Sequence, residues 1–148
     1  MQYVEEEARN CVCHNLRKTT RAITQFYDKL LAPSGINSTQ LPLLCIISIR
    51  NSSTISEIAR EMSMDRTTLT RSLELLKEQD FVRIESSSDR RKRIVTLTDK
   101  GRVHMHKAFP LWQKAQSTIM EKFGKGNWRE VKTGLGEISK IAHVELGQ

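Results

Sequence analysis

The chain has 148 residues, enough for one ordinary domain with a real core and too few for a catalytic domain plus a second module. Lys and Arg total 24 against 17 acidic residues, and the net charge of +7 favours an anionic partner. No apolar run approaches the roughly 18 residues that cross a bilayer, the opening MQYVEEEARN lacks the apolar stretch of a secretory signal, and three cysteines make no disulfide framework. A cytoplasmic protein without membrane contact is expected.

Over residues 4–31, apolar side chains recur at three-and-four spacing, among them Val4, Ala8, Cys11, Val12, Leu16, Ile23, Phe26, Tyr27 and Leu30. This predicts one long amphipathic helix, ended by Pro33, Ser34 and Gly35. Asn37 or Ser38 can cap a second helix carrying Leu41, Leu44, Cys45, Ile47 and Ile49. Apolar nearly all round, it is expected to be buried, with Pro42 close enough to its start to be tolerated. Thr54 and Glu57 have the spacing of a capping box, opening a short helix that turns Ile58, Ala59 and Met62 inward. Asp65 is a good N-cap for the next helix, in which Leu69, Leu73 and Leu76 share the core face. The opposite face holds Thr67, Thr70, Arg71 and Glu74, with Arg66 and Thr68 at the leading end. A helix in the major groove contacts bases with its N-terminal residues, where short hydroxyls and arginines belong.

Residues 81–84 and 93–97 are strand-like, with Val95 and Leu97 facing in and Ile94 and Thr96 facing out. The hairpin tip reads Asp89-Arg90-Arg91-Lys92-Arg93, cations suited to phosphates or a narrow minor groove. Thr98 then caps a long helix whose buried line is Ala108, Trp112, Ala115, Ile119 and Phe123, and which Pro110 interrupts and bends. After a break at Gly124, Lys125 and Gly126, Asn127 caps a last helix lined by Trp128, Val131, Leu135, Ile138 and Ile141. Gly134 and Gly136 weaken that helix by about 1 kcal/mol each. Helix-turn-helix followed by a basic hairpin reads as a winged-helix DNA-binding domain, mainly α with a small β-hairpin wing.

Several motifs are similar to those of the MarR family of bacterial winged-helix regulators, over nearly the whole chain. They are Ser56-Glu57-Ile58-Ala59, Met64-Asp65-Arg66-Thr67-Thr68-Leu69-Thr70-Arg71, Leu75-Leu76 before Phe81-Val82, and Asp89-Arg90-Arg91 ahead of Val95-Thr96-Leu97-Thr98-Asp99-Lys100-Gly101. Asp80 departs from the pattern, standing where the family usually has a glycine; aspartate enters the left-handed conformation less easily. The resemblance implies a single domain over 1–148, with a winged-helix lobe at 37–98 flanked by dimerisation helices at 4–31 and 99–145. It implies a homodimer that represses promoters at pseudo-palindromic sites in double-stranded DNA. Release would come from a small ligand or from cysteine oxidation. The terminal apolar stripes suit a dimer, since unburied they would leave a large exposed patch. By the same resemblance Arg91 enters the minor groove with Asp89 orienting it, while Arg90, Lys92 and Arg93 meet phosphates or serve as ion-pair partners. Effectors in this family sit between helices and the DNA-binding lobe, which singles out Arg17, Arg21 and Trp112. An arginine near an aromatic suits an anionic or aromatic ligand.

Cys11 and Cys13 lie two apart on the expected helix, about 200° round its axis, and are not placed to join or share a metal. Cys13 has the spacing to Tyr27 and Leu30 of the reactive cysteine in the hydroperoxide-sensing branch of the family. That branch has a tyrosine where this chain has Arg17, and an arginine can lower a thiol pKa. Cys45 reads as core. No nucleophile with a base, no phosphate loop and no metal cluster supports an enzyme or a cofactor. The rival reading is a winged helix used as a protein-interaction module.

Overall fold

Side-chain caps open two helices in the middle of the chain. In the computed structural model, which describes residues 2–86 and 92–147, the elements run α1 (Gln2–Arg9), α2 (Val12–Leu31), a 3-10 turn (Ala32–Ser34) and α3 (Gln40–Arg50). Then follow β1 (Ser53–Thr54), α4 (Ile55–Glu61), α5 (Arg66–Glu78), β2 (Val82–Ser86), β3 (Arg93–Leu97), α6 (Asp99–Phe123) and α7 (Lys125–Glu145). Asn37 Oδ1 accepts from the amides of Thr39 and Gln40, and Gln40 Oε1 accepts from Asn37 N, so Asn37 organises the turn ahead of α3. The N-cap position falls on Thr39, which makes no side-chain capping bond, and not on Asn37 or Ser38 as expected. The Thr54–Glu57 capping box is present in both directions. At α5, Asp65 accepts from Thr68 N at 2.9 Å.

The end of α5 is a Schellman turn. Phe81 N donates to Leu76 O at 2.8 Å and Asp80 N to Lys77 O at 2.9 Å, with Asp80 at φ 59°. A glycine belongs at such a position, and Asp80 tolerates it at a cost. Asp80→Gly is expected to stabilise the fold by about 0.5–1 kcal/mol and raise Tm by a few degrees, measured by thermal unfolding.

The sheet has order β1-β3-β2, antiparallel throughout, with Val82 opposite Leu97 and Ile84 opposite Val95. β1 pairs Ser53 with Val95, a third strand that two polar residues do not announce. Val95 and Leu97 point into the core while Ile94 and Thr96 are half-buried, matching the expected alternation. Ile36, Leu44, Ile47, Ile58, Leu69, Leu73, Leu76 and Phe81 complete that core.

Four further expectations are corrected. The first helix does not run unbroken over residues 4–31: it stops at Arg9 and restarts at Val12, with Cys11 at φ −59°, ψ 117°. Asn15 Nδ2 donates to Arg9 O at 2.7 Å and Cys11 O at 3.0 Å, binding carbonyls at the break. Ile49 is 81% exposed, so α3 is not buried all round. Pro110 does not interrupt its helix, since α6 runs through it. Asn127 is not the cap of α7: Gly124 holds that position at φ 92°, and Asn127 Nδ2 instead donates to Phe123 O at the end of α6.

Two compact units make up the chain, Met1–Trp112 and Gln113–Gln148. In the first lies the winged-helix core. In the second, α7 carries Trp128, Val131, Leu135, Ile138 and Ile141 on one side, and no side chain described on this helix is buried. Among the described residues no helix is long and apolar enough to cross a membrane.

Candidate nucleic-acid interface

The core leucines Leu69, Leu73 and Leu76 fix the rotation of α5, and the opposite side follows from the 100° step per residue. Thr67 and Arg71 stand at the middle of the outward face, both exposed, with Arg66 exposed at the leading end. Thr68 is exposed, but its hydroxyl donates to Asp65 Oδ2 at 2.5 Å and thereby completes the cap. Thr70 is half-buried and donates to Arg66 O at 2.7 Å, so it is turned back onto its own helix. Bonds from the Thr68 hydroxyl and amide hold the Asp65 carboxyl below its ordinary range, keeping an anion beside the first turn. Hydrogen bonds from the Thr54 amide and hydroxyl lower Glu57 in the same way.

Lys92, just ahead of β3, and Arg93, its first residue, meet Arg66 around a small cleft of about 150 Å³, whose other walls include Thr54, Ser56 and Glu57. Three cations thus converge at the base of the wing. Ser56 belongs to a motif read in the sequence, but its approach to Arg93 could not be read there, because it depends on the pairing of β1 with β3. Asp89, Arg90 and Arg91 lie outside the described residues.

The L-T-D-K-G segment explains itself as a joint. Thr98 N donates to Phe81 O at 3.0 Å, its Oγ1 donates to Asp80 O at 2.7 Å, and that same Oγ1 accepts from Gly101 N at 2.9 Å. Lys100 Nζ donates to Gln79 O at 2.7 Å, placing a cation on the C-terminal end of α5. The end of α5, the start of the hairpin and α6 are tied at this point.

A cavity of about 490 Å³ lies above the lobe. Ile23, Thr24 and Tyr27 of α2, Leu41, Pro42 and Cys45 of α3, the intervening Ser38 and Thr39, and Phe109 and Trp112 of α6 line it. Trp112 is among the lining residues, whereas Arg17 and Arg21 are exposed on α2 and are not. Cys45 is half-buried at the cavity wall, and burial pushes its thiol pKa up. Cys11 and Cys13 are exposed, with Cys11 at the helix break rather than inside a continuous helix. Among the described residues no group of three or more His, Cys, Asp and Glu could hold a metal.

A model described as MarR family matches residues 34–92. The transcriptional regulator MosR of M. tuberculosis, crystallised in complex with DNA, is 36% identical, covers 90% of this chain and 97% of its own, and superposes with a TM-score of 0.83. YwhA of Bacillus subtilis (strain 168), an uncharacterized HTH-type transcriptional regulator, is 29% identical over 134 residues, 90% of this chain and 94% of that protein. AbfR, crystallised overoxidized and bound to DNA, is 26% identical over 93% of this chain and 99% of its own, with a TM-score of 0.69.

Proposed function

The chain belongs to the MarR family of transcriptional regulators, and on that premise we propose that it is a homodimeric repressor that reads a pseudo-palindrome in double-stranded DNA. The observation that carries the proposal is the outward face of α5, where Thr67 and Arg71 stand exposed at the middle and Arg66 at the leading end. Thr67 and Arg71 meet base edges in the major groove, with Thr68 and Thr70 shaping the helix end beneath them. Arg66, Lys92 and Arg93 take phosphates around the cleft at the wing base. Asp89, Arg90 and Arg91 are assigned to the minor-groove side of the wing. The DNA-bound relative MosR supports the partner. A protein-interaction module would leave the convergent cations without a purpose.

Arg71→Ala is expected to cost about 1–3 kcal/mol of binding and to relax base preference at one position. Lys92→Ala and Arg93→Ala are each expected to lower the salt slope by about one while leaving base preference intact. Fluorescence titration of a selected duplex at several salt concentrations checks both, and a salt-insensitive, sequence-blind interaction would overturn the reading.

Release is assigned to a small effector in the cavity lined by Trp112. The effector acts only if it binds one lobe spacing better than the other, because equal affinity shifts no equilibrium. A second reading, oxidation at Cys13, is favoured by the exposure of Cys13 and Cys11 beside a helix break. There the Cys13 thiolate attacks a hydroperoxide, forming S–O as O–O breaks and an alcohol leaves. Peroxide-driven release of DNA that is lost in Cys13→Ser selects this route; equal release in both proteins rejects it.

A further inference from the structure

The cavity's walls carry a chemical preference. Tyr27, Leu41, Pro42, Cys45, Phe109 and Trp112 present apolar or aromatic surface, and the Phe109 and Trp112 rings stack at 5.6 Å with 24° between their planes. No Lys, Arg or His is among the lining residues described. The charge bonded to the lining segment has the wrong sign for an anion: the Asp28 carboxylate accepts from Ser38 N at 2.7 Å. Burial raises the Tyr27 phenol and the Cys45 thiol, so both stay neutral. Among the hydroxyls, that of Thr39 already donates to Asn37 Oδ1 at 2.8 Å. Ser38 Oγ is buried with no hydrogen-bond partner. A buried hydroxyl without a partner is costly, and rotating it toward a ligand breaks no existing bond.

We infer that this cavity takes an uncharged, flat, mainly aromatic molecule with one hydrogen-bonding group met by Ser38, and that it discriminates against anions. The inference rests on the reading of the chain as a ligand-responsive regulator and deepens it. It departs from the preference for an anion that Arg17 and Arg21 suggested, because neither arginine reaches the lining. The volume of about 490 Å³ is that of a small-molecule site, and a carboxylate entering it would lose its water without gaining a cation.

The probe pair is naphthalene-2-carboxamide and naphthalene-2-carboxylate, equal in shape and different in charge. Both are titrated into the full chain carrying Trp128→Phe, which leaves Trp112 as the only tryptophan and its fluorescence as the readout. At neutral pH the carboxamide is expected to bind about tenfold or more tightly than the carboxylate. Ser38→Ala is expected to weaken the carboxamide about fivefold or more and to leave unsubstituted naphthalene unchanged. Thr24→Phe, which fills the space, is expected to abolish the Trp112 response while circular dichroism shows the fold intact. A carboxylate that binds as well as the carboxamide, a carboxylate affinity that falls in Arg17→Ala or Arg21→Ala, or no response from any probe would overturn the inference. The titrations contain no DNA, so failure of the DNA-binding reading shows separately, in the duplex experiments.

Discussion

Gly101→Ala is expected to destabilise the first unit by about 2–4 kcal/mol and to lower Tm by roughly 5–15 °C, far more than one methyl group ordinarily does. A Cβ built at this position meets the carbonyl oxygen of Phe81 at a distance only backbone movement can relieve, and the Leu97 Cδ1 methyl at 2.9 Å. Neither neighbour can yield cheaply. Phe81 O accepts from Thr98 N, and Leu97 is part of the core. Relief therefore requires α6 to back away from the end of α5, breaking the Thr98 bonds. Gly126→Ala is the control, since nothing lies within 4 Å of a Cβ there, and helix propensity predicts a small gain of about 0.5–1 kcal/mol. Thermal unfolding of both variants, followed by duplex titration, is the measurement. A Gly101→Ala protein as stable as the parent would mean that the joint is looser than described.

Leu135→Glu is expected to turn a dimer into a monomer and to weaken duplex binding by about a hundredfold or more, because two half-sites are then no longer engaged together. Leu135 lies on the apolar side of α7, with Val131 and Ile138 one turn to either side, and each is roughly two-fifths exposed in the single chain. A glutamate there is tolerated by an isolated protomer. In a two-fold interface it appears twice, and each buried unpaired carboxylate costs several kcal/mol. Sedimentation at micromolar concentration reads the oligomer directly, and a variant that stays dimeric would place the interface elsewhere. The same reasoning predicts a concentration-dependent Tm for the parent.

Features carried by neighbouring residues were legible in the sequence. The Thr54–Glu57 box, the Asp65 cap and the Leu69, Leu73 and Leu76 face are local patterns, and each appears in the structure as read. Asp80 was equally legible, flagged by the absence of glycine and found at positive φ. What escaped depends on partners distant in sequence. Two polar residues become β1 only because β3 supplies a free edge beside them. The break at Cys11 was masked by apolar spacing that continues across it, and the Asn15 side chain that satisfies the carbonyls there has no sequence signature. Asn127 has the residue type of an N-cap and serves the preceding helix instead. The cavity was half legible: Trp112 follows from the helix pattern, but the position of the arginines depends on how α2 is rotated against α3.

The joint around Thr98 also decides what kind of motion α5 and the hairpin can perform. The last carbonyls of α5, the first residues of the wing and the first turn of α6 share one set of hydrogen bonds, closed by a glycine with no room to spare. Helix α5 and the hairpin consequently have no heading of their own; they are fixed to α6 as a rudder is fixed to its stock. Phe109, on the cavity wall, stands eight residues further along that stock, about 12 Å from Gly101. A small tilt of α6 at the cavity therefore reaches the tip of α5 as a change of bearing and leaves the spacing between Thr67 and Arg71 unaltered. The grammar of the surface is rigid, and only its aim is adjustable.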